Sequence, residues 1–165
     1  MDFTQNMAKA MQYFTTSGAF LTAAHDGQVN TMTVAWGFIG YIWGKPHFIT
    51  IVRPQRHTQS IISQAEGFTI SIPFGTLRDE LRICGTESGR DLDKATVVSF
   101  APAKTLPNGV IVSGCDLYYE CRTTVMEEMD ENTLPPHIRN QFYSNDYHKV
   151  YIGEILDLYE NTAVQ

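Results

Sequence analysis

The stretch VRPQRHTQSII, Val52 to Ile62, gathers the groups best suited to hold an oxyanion. Arg53 and Arg56 carry planar guanidiniums that bond phosphate oxygens in fork geometry. Thr58 adds a hydroxyl. Pro54 cannot donate to a sheet ladder, so a strand ends there, and a helix is expected to start within a few residues, capped by Thr58 or His57 with Ile61 and Ile62 on its buried side. The first turn of a helix offers unpaired N–H groups and a partial positive charge, which together attract phosphate. The plainer alternative is a helix cap beside two surface arginines, and the stretch alone does not decide between them.

A second stretch, CGTESGRDLDK from Cys84 to Lys94, adds Arg90 and Lys94, four residues apart. Taken singly it reads as a charged surface segment. A third, NTMTVAWG from Asn30 to Gly37, has the β-formers Thr33, Val34 and Trp36 but opens on small polar residues and closes on glycine. A strand whose side chains are this small suits a place where the main chain itself meets a neighbour.

Other chemistries lack their residues. No glycine-rich phosphate loop or dinucleotide fingerprint follows a strand, and neither GxSxG nor HExxH occurs. The five histidines show no metal-ligand spacing. Cys115 and Cys121 have no histidine or cysteine pair to complete a zinc site, so they are read as buried thiols. No catalytic acid, base or nucleophile and no metal ligand is assigned.

At 165 residues the chain is read as one domain, 1–165, long enough to bury a substantial core. A net charge of −6 argues against nucleic acid as a partner. The acidic run Glu127, Glu128, Asp130, Glu131 reads as a solvated strand end. No apolar run reaches the length of a membrane span. The start MDFTQNMAKAM lacks the features of a secretory signal, and three cysteines are too few and too odd for a disulfide framework, so the cytoplasm is expected.

The elements that must position these residues are mostly strands. Phe3, Met7, Met11 and Phe14 predict a short amphipathic helix. Ala19–Ala24 is a strand, and Asp26-Gly27 turns it into a hairpin whose return strand runs on towards Gly40. Further strands are expected at His47–Arg53, Gly67–Pro73, near Val110, through LYYECRTTVMEEM, and at Val150–Glu160, with a helix at Leu77–Ile83 and a Pro-rich connection at Pro135 and Pro136. Six or seven strands with short turns and a few helices fit a closed or nearly closed antiparallel barrel, which removes exposed edges.

In this order, NTMTVAWG, the strand ending in VRP with Arg56-x-Thr58 after it, CGTESGRDLDK and YHKVYIGEI near the C-terminus, the chain resembles the flavin reductase-like proteins, and within them the flavoredoxin type. The similarity runs from about Ser17 to Glu160. The resemblance implies a mainly β fold, an FMN-binding split barrel with antiparallel Greek-key topology. It implies FMN as cofactor and NADH or NADPH as electron donor, with electrons leaving to a small acceptor or an acceptor protein. It implies a homodimer, and the crowding of Phe38, Ile39, Tyr41, Ile42 and Trp43 suits either a core or an interface. By the same resemblance Asn30, Thr31, Met32, Thr33 and Trp36 lie along the flavin ring, Arg53, Arg56, Thr58 and Lys94 hold its phosphate, and His148 borders the ring. Two positions depart from the family pattern: His57 stands where an aromatic is frequent, and Ala95 where a large aromatic is common. They leave the shape of the substrate side open. Three other readings remain: an FMN-binding electron carrier without turnover, a same-fold oxidase of the pyridoxamine-phosphate type, which the ordered motifs fit less well, and a barrel that holds another phosphorylated metabolite.

Overall fold

The computed structural model describes residues 1–161; Thr162 to Gln165, the end of the expected domain, lie outside the described residues. The N-terminal helix α1 (Met7–Thr16) starts later than the apolar spacing predicts, because Asn6 takes a left-handed conformation ahead of it. Phe3 falls before it and stacks on Tyr41, while Ala10 and Phe14 are buried.

Strands β1 (Ala19–His25) and β2 (Gln28–Val34) form the expected hairpin. Asp26 and Gly27 both have positive φ, 47° and 76°, as a two-residue turn between right-twisted strands requires. The return strand does not run on to Gly40. It stops at Val34, Ala35 and Trp36 cross over, and β3 (Gly37–Ile42) pairs with β4 (Lys45–Val52) instead of β1. Gly37 makes the switch possible, since a Cβ there would lie 2.2 Å from the Ile49 carbonyl oxygen.

After the short helix α2 (His57–Ile62), β5 (Gly67–Ile72) returns to pair with β1. Helix α3 (Arg78–Thr86) runs three residues past the predicted end. Strands β6 (Phe100–Pro102) and β7 (Val110–Val112) form a separate two-stranded sheet, so the strand expected near Val110 is not part of the barrel. The long β8 (Leu117–Glu128) and β9 (Lys149–Glu160) pair along most of their length. The Pro-rich connection between them contains a helix, α4 (Pro136–Phe142), with Pro136 at its first position, where the missing N–H costs nothing.

The main sheet has the order β2-β1-β5-β8-β9-β4-β3, antiparallel throughout. Its two edge strands are consecutive in the chain, so the sheet curls into a barrel that is split between β2 and β3. This is the mainly β, antiparallel architecture the sequence predicts. The interior is filled by Leu21, Phe48, Phe68, Ile70, Tyr119 and Tyr151. A second cluster, including Phe20, Leu81, Cys84 and Val112, anchors α3 and the small sheet to the outer face. Each large side chain fully buried this way contributes about 1.5–3 kcal/mol. No helix is long and apolar enough to cross a membrane among the described residues.

Candidate functional site

The outer edge of β2 pairs with no further strand among the described residues, although most of its residues are buried beneath the neighbouring segments. The two-residue turn makes His25–Gln28 a hydrogen-bonded pair, and parity then puts Asn30, Met32 and Val34 into the ladder with β1. The N–H and C=O groups of Thr31 and Thr33 face the other way. Their side chains are already engaged. The Thr31 hydroxyl donates to the Leu21 carbonyl at 3.1 Å, and the Thr33 hydroxyl to the Leu81 carbonyl at 2.6 Å. The backbone, more than the side chains, is what this strand offers.

Two adjoining clefts run along that edge. One, of about 440 Å³, is lined by Asn30, Thr31, Met32, Arg53, Arg56, Thr58 and Lys94, together with His57 and the 84–89 segment. The other, of about 240 Å³, is lined by Met32, Thr33, Val34, Trp36, Arg53, Arg56, Ile51 and His148. All ten residues singled out from the sequence therefore line one or both, and Met32, Arg53 and Arg56 are shared. A larger cleft, of about 730 Å³, lies beside the Asp26-Gly27 turn, but its formally charged side chains are the acids Asp26 and Glu66, so it is the wrong place for an anion.

Within the larger of the joined clefts the cations have different freedoms. Lys94 is 2% exposed. Its ammonium donates to the Glu87 carbonyl at 2.6 Å and, at 3.4 Å, to that of Ile83. No carboxylate pairs with it among the described residues. Arg56 donates one N–H to the Gly85 carbonyl at 2.8 Å, and its other donors remain for the cleft. Arg90, outside the wall, reaches the Gln55 carbonyl at 3.0 Å. Arg53 is different. It is ion-paired with Asp146, donates to the Phe142 carbonyl at 2.8 Å, and lies over the Tyr143 ring. Its guanidinium ties the segment after α4 to the barrel, a role the sequence does not announce because Asp146 is 93 residues away.

The helix start also differs from expectation. Arg56 is the cap residue of α2, not Thr58 or His57. Thr58 is buried, and its hydroxyl accepts from the Asn30 amide at 2.8 Å, which fixes both residues at the cleft floor. With only the six residues His57–Ile62, α2 brings a weak dipole, so side-chain donors carry most of the anion preference.

Two features escaped sequence reasoning. The Nδ1 atom of His57 is buried without a partner, and burial, reinforced by Arg90, lowers the pKa of the ring. Gly89 closes the cleft against it: a Cβ there would lie 2.3 Å from Asn30 Oδ1 and 2.8 Å from His57 Cδ2. The signal in the sequence was the glycine between Ser88 and Arg90, which only the fold connects to Asn30.

The smaller cleft is aromatic. Trp36, 45% exposed, packs edge-on against Phe142 and 5.4 Å from His148. His148 is buried, with Nδ1 2.9 Å from the Tyr143 hydroxyl. Burial, reinforced by Arg53 and opposed by Asp146, pulls the imidazole down to about 4, so the ring is neutral near pH 7. Together the clefts join a cationic pocket, a strand edge unpaired in the sheet and an aromatic wall.

The model of the flavin reductase like domain matches residues 11–165. Solved structures of similar fold include the flavoredoxin of Methanosarcina acetivorans, at 20% identity and TM-score 0.70 over 88% of this chain and 69% of that one. An FMN-binding protein from Thermus thermophilus, with bound p-hydroxybenzaldehyde, is 21% identical with TM-score 0.69 over 89% and 73%. The NADH:FAD oxidoreductase of Streptomyces globisporus, in complex with NAD and FAD fragments, is 13% identical with TM-score 0.66 over 90% and 78%. At these identities the likeness establishes the fold. No curated protein matches the chain.

Proposed function

The chain belongs to the flavin reductase-like family, and from that premise we propose that it is a single-domain oxidoreductase that holds FMN in the joined clefts and passes electrons from NADH or NADPH to an acceptor. The observation that carries this reading is Lys94, a buried ammonium facing a cleft with two carbonyl partners and no carboxylate among the described residues. A buried cation without a counter-charge is costly unless an anion joins it. The orphaned Nδ1 of His57 and the tight wall at Gly89 fit the same ligand.

When bound, FMN supplies the hydride and electron chemistry, and the protein supplies position and electrostatics. Lys94 and Arg56 would hold the phosphate. Asn30 and Thr58 brace each other beneath it. The outward N–H and C=O groups of Thr31 and Thr33 would meet the polar edge of the ring, which answers why this strand keeps its side chains small. Met32 and Trp36 give apolar surface, and neutral His148, set by Tyr143, borders the ring without adding charge. Arg53 acts at one remove, by keeping Asp146 and the α4 segment docked.

The functional unit of this reading is a homodimer. Phe38, Tyr41 and Trp43 are 55%, 62% and 68% exposed on and beside the edge strand β3, so this cluster is surface and not core. Cys84, Cys115 and Cys121 are buried free thiols, which fits a cytoplasmic setting. The test is the visible spectrum of purified protein, before and after NADH or NADPH is added without air. Flavin absorption at about one equivalent, bleached by either nucleotide, is expected. A colourless protein that leaves the fluorescence of added FMN unquenched would end the proposal.

A further inference from the structure

His57 opens helix α2 and lines the cationic cleft, at a position where the family pattern often has a plain aromatic. The segment after α3 packs against its ring: a Cβ on Gly89 would stand 2.8 Å from His57 Cδ2. Arg90 ties that segment to the turn before α2, donating to the Gln55 carbonyl at 3.0 Å. A phenyl ring would fill this place and leave nothing unsatisfied. The imidazole leaves its Nδ1 buried without a partner, which costs free energy until a hydrogen-bonding group reaches the ring.

The charges around the ring set its protonation. The turn before α2 brings Arg53 and Arg56, and the segment from Cys84 to Lys94 brings Cys84, Glu87, Arg90 and Lys94. Strand β2 adds only the uncharged Asn30, Thr31 and Met32. Glu87 and Arg90 are exposed, and Arg53 already has Asp146 as its counter-charge. Burial keeps the Cys84 thiol protonated against the pull of Lys94. Cations therefore outnumber acids here. Burial, reinforced by Arg90, holds the imidazole below its ordinary value, so the ring of the ligand-free chain is neutral near pH 7.

We propose that His57 makes the capture of a flavin phosphate proton-coupled: its neutral imidazole takes one proton from solvent on binding and becomes a further N–H donor to the phosphate, beside Lys94 and Arg56. The inference rests on the flavin reading above and adds how that site responds to pH. Next to a phosphate dianion the field on the ring changes sign, and a close opposite charge favours the protonated form. An imidazolium carries N–H on both nitrogens, and the phosphate supplies an acceptor that the protein does not. Proton uptake on binding means that FMN binds more tightly as pH falls, by up to about tenfold per pH unit for one full proton. This holds between the lowered value of the free ring and its raised value beside the phosphate. Riboflavin, without a phosphate, should show neither effect.

Titration calorimetry of the flavin-free protein, in buffers of different ionisation enthalpy, counts the protons exchanged. At about pH 7 the phosphate of FMN is already mostly dianionic, with its second pKa near about 6. Uptake of roughly half to one proton is expected with FMN, and none with riboflavin. His57→Gln keeps a hydrogen-bonding side chain that cannot take a charge. It should abolish the uptake, flatten the pH dependence of FMN affinity and weaken FMN by about tenfold at neutral pH. Unchanged riboflavin affinity shows that the variant is folded. His57→Phe, which restores an aromatic, should lose the uptake in the same way. FMN binding by the parent without net uptake, or uptake that persists in both variants, overturns the inference while the flavin reading stands. Equal weakening of FMN and riboflavin in His57→Gln overturns it too, since the ring would then be packing the site and not serving the phosphate. If the parent binds neither flavin, the flavin reading itself falls, and this inference with it.

Discussion

Arg53 and Arg56 look equivalent in the sequence, three residues apart after the same strand, yet the fold gives them different work. Arg56 retains donors for the cleft, whereas Arg53 is bound to Asp146 and the Phe142 carbonyl. Arg56→Ala is therefore expected to weaken FMN tenfold to a hundredfold, about 1.5–3 kcal/mol for a charge-assisted bond, and to leave riboflavin, which lacks the phosphate, nearly unchanged. Arg53→Ala should instead weaken both ligands together, because it frees the α4 segment. Fluorescence titration with the two flavins checks this, and equal losses in Arg56→Ala would transfer the phosphate role elsewhere. His148 gives a second expectation. Its folded pKa is about 4 against an ordinary 6.5, so between those values the unfolded chain binds the extra proton. Stability from this residue is complete above pH 6.5, falls as pH drops through the window and levels off near 4, a loss approaching roughly 3 kcal/mol for a well-buried ring. Asp146, held down to about 2 chiefly by the Ser144 N–H, contributes its own loss only below about pH 4. Urea unfolding at pH 7 and pH 5 should show the decrease in the parent and a flatter profile in His148→Phe.

At the level of elements, the hairpin, the α2 and α3 segments and the long C-terminal strands were legible because they rest on local signals: Asp-Gly at a turn, Pro54 at a strand end, alternating Phe68, Ile70 and Ile72. The switch from β2 to β3 was not. Residues 30–40 keep one β-like composition throughout, and what divides them is partnership, β1 on one side and β4 on the other. Gly37 was visible as a residue but not as the point of division, since its need for space is set by the Ile49 carbonyl. Gly37→Ala should accordingly cost about 1–3 kcal/mol or more, as overpacking against backbone does. Gly40→Ala, three residues on in the same strand, meets nothing within 4 Å and should be benign. Denaturant midpoints of the pair decide this, and equal stabilities would mean that the crossover tolerates a side chain. Gly89 is the corresponding point in the site. Its replacement by alanine should act on FMN affinity more than on stability, because the displaced atoms belong to Asn30 and His57.

For the molecule as a whole, the barrel was legible from strand count and short turns, and the ten cleft residues from ordered motifs. The Arg53–Asp146 tie and the packing of Gly89 against His57 were not, because each joins segments that share no local pattern. The same holds for the aromatic cluster from Phe38 to Trp43, which composition alone left between core and interface. Their exposure decides that much: Phe38 and Tyr41 stand exposed on the edge strand β3 of the main sheet, and Trp43 in the turn after it. An edge strand with this much apolar surface invites a second chain, and a soluble protein normally blunts it with charge or covers it. In β3 and the turn after it, Gly37 to Gly44, there is no charged side chain to blunt the edge. Covering by a second copy would bury roughly 2,000 Å² or more if the pair is obligate. Tyr41→Arg combined with Trp43→Arg places two like charges in each copy's patch, where they would be desolvated or repel one another across a twofold contact. The parent is expected to scatter light as a dimer at micromolar concentration, and the double variant as a monomer. Flavin affinity measured on that monomer then reports whether the second copy helps to build the site. A parent that scatters as a monomer would leave Phe38, Tyr41 and Trp43 as a surface for a different partner, and the homodimer would be withdrawn.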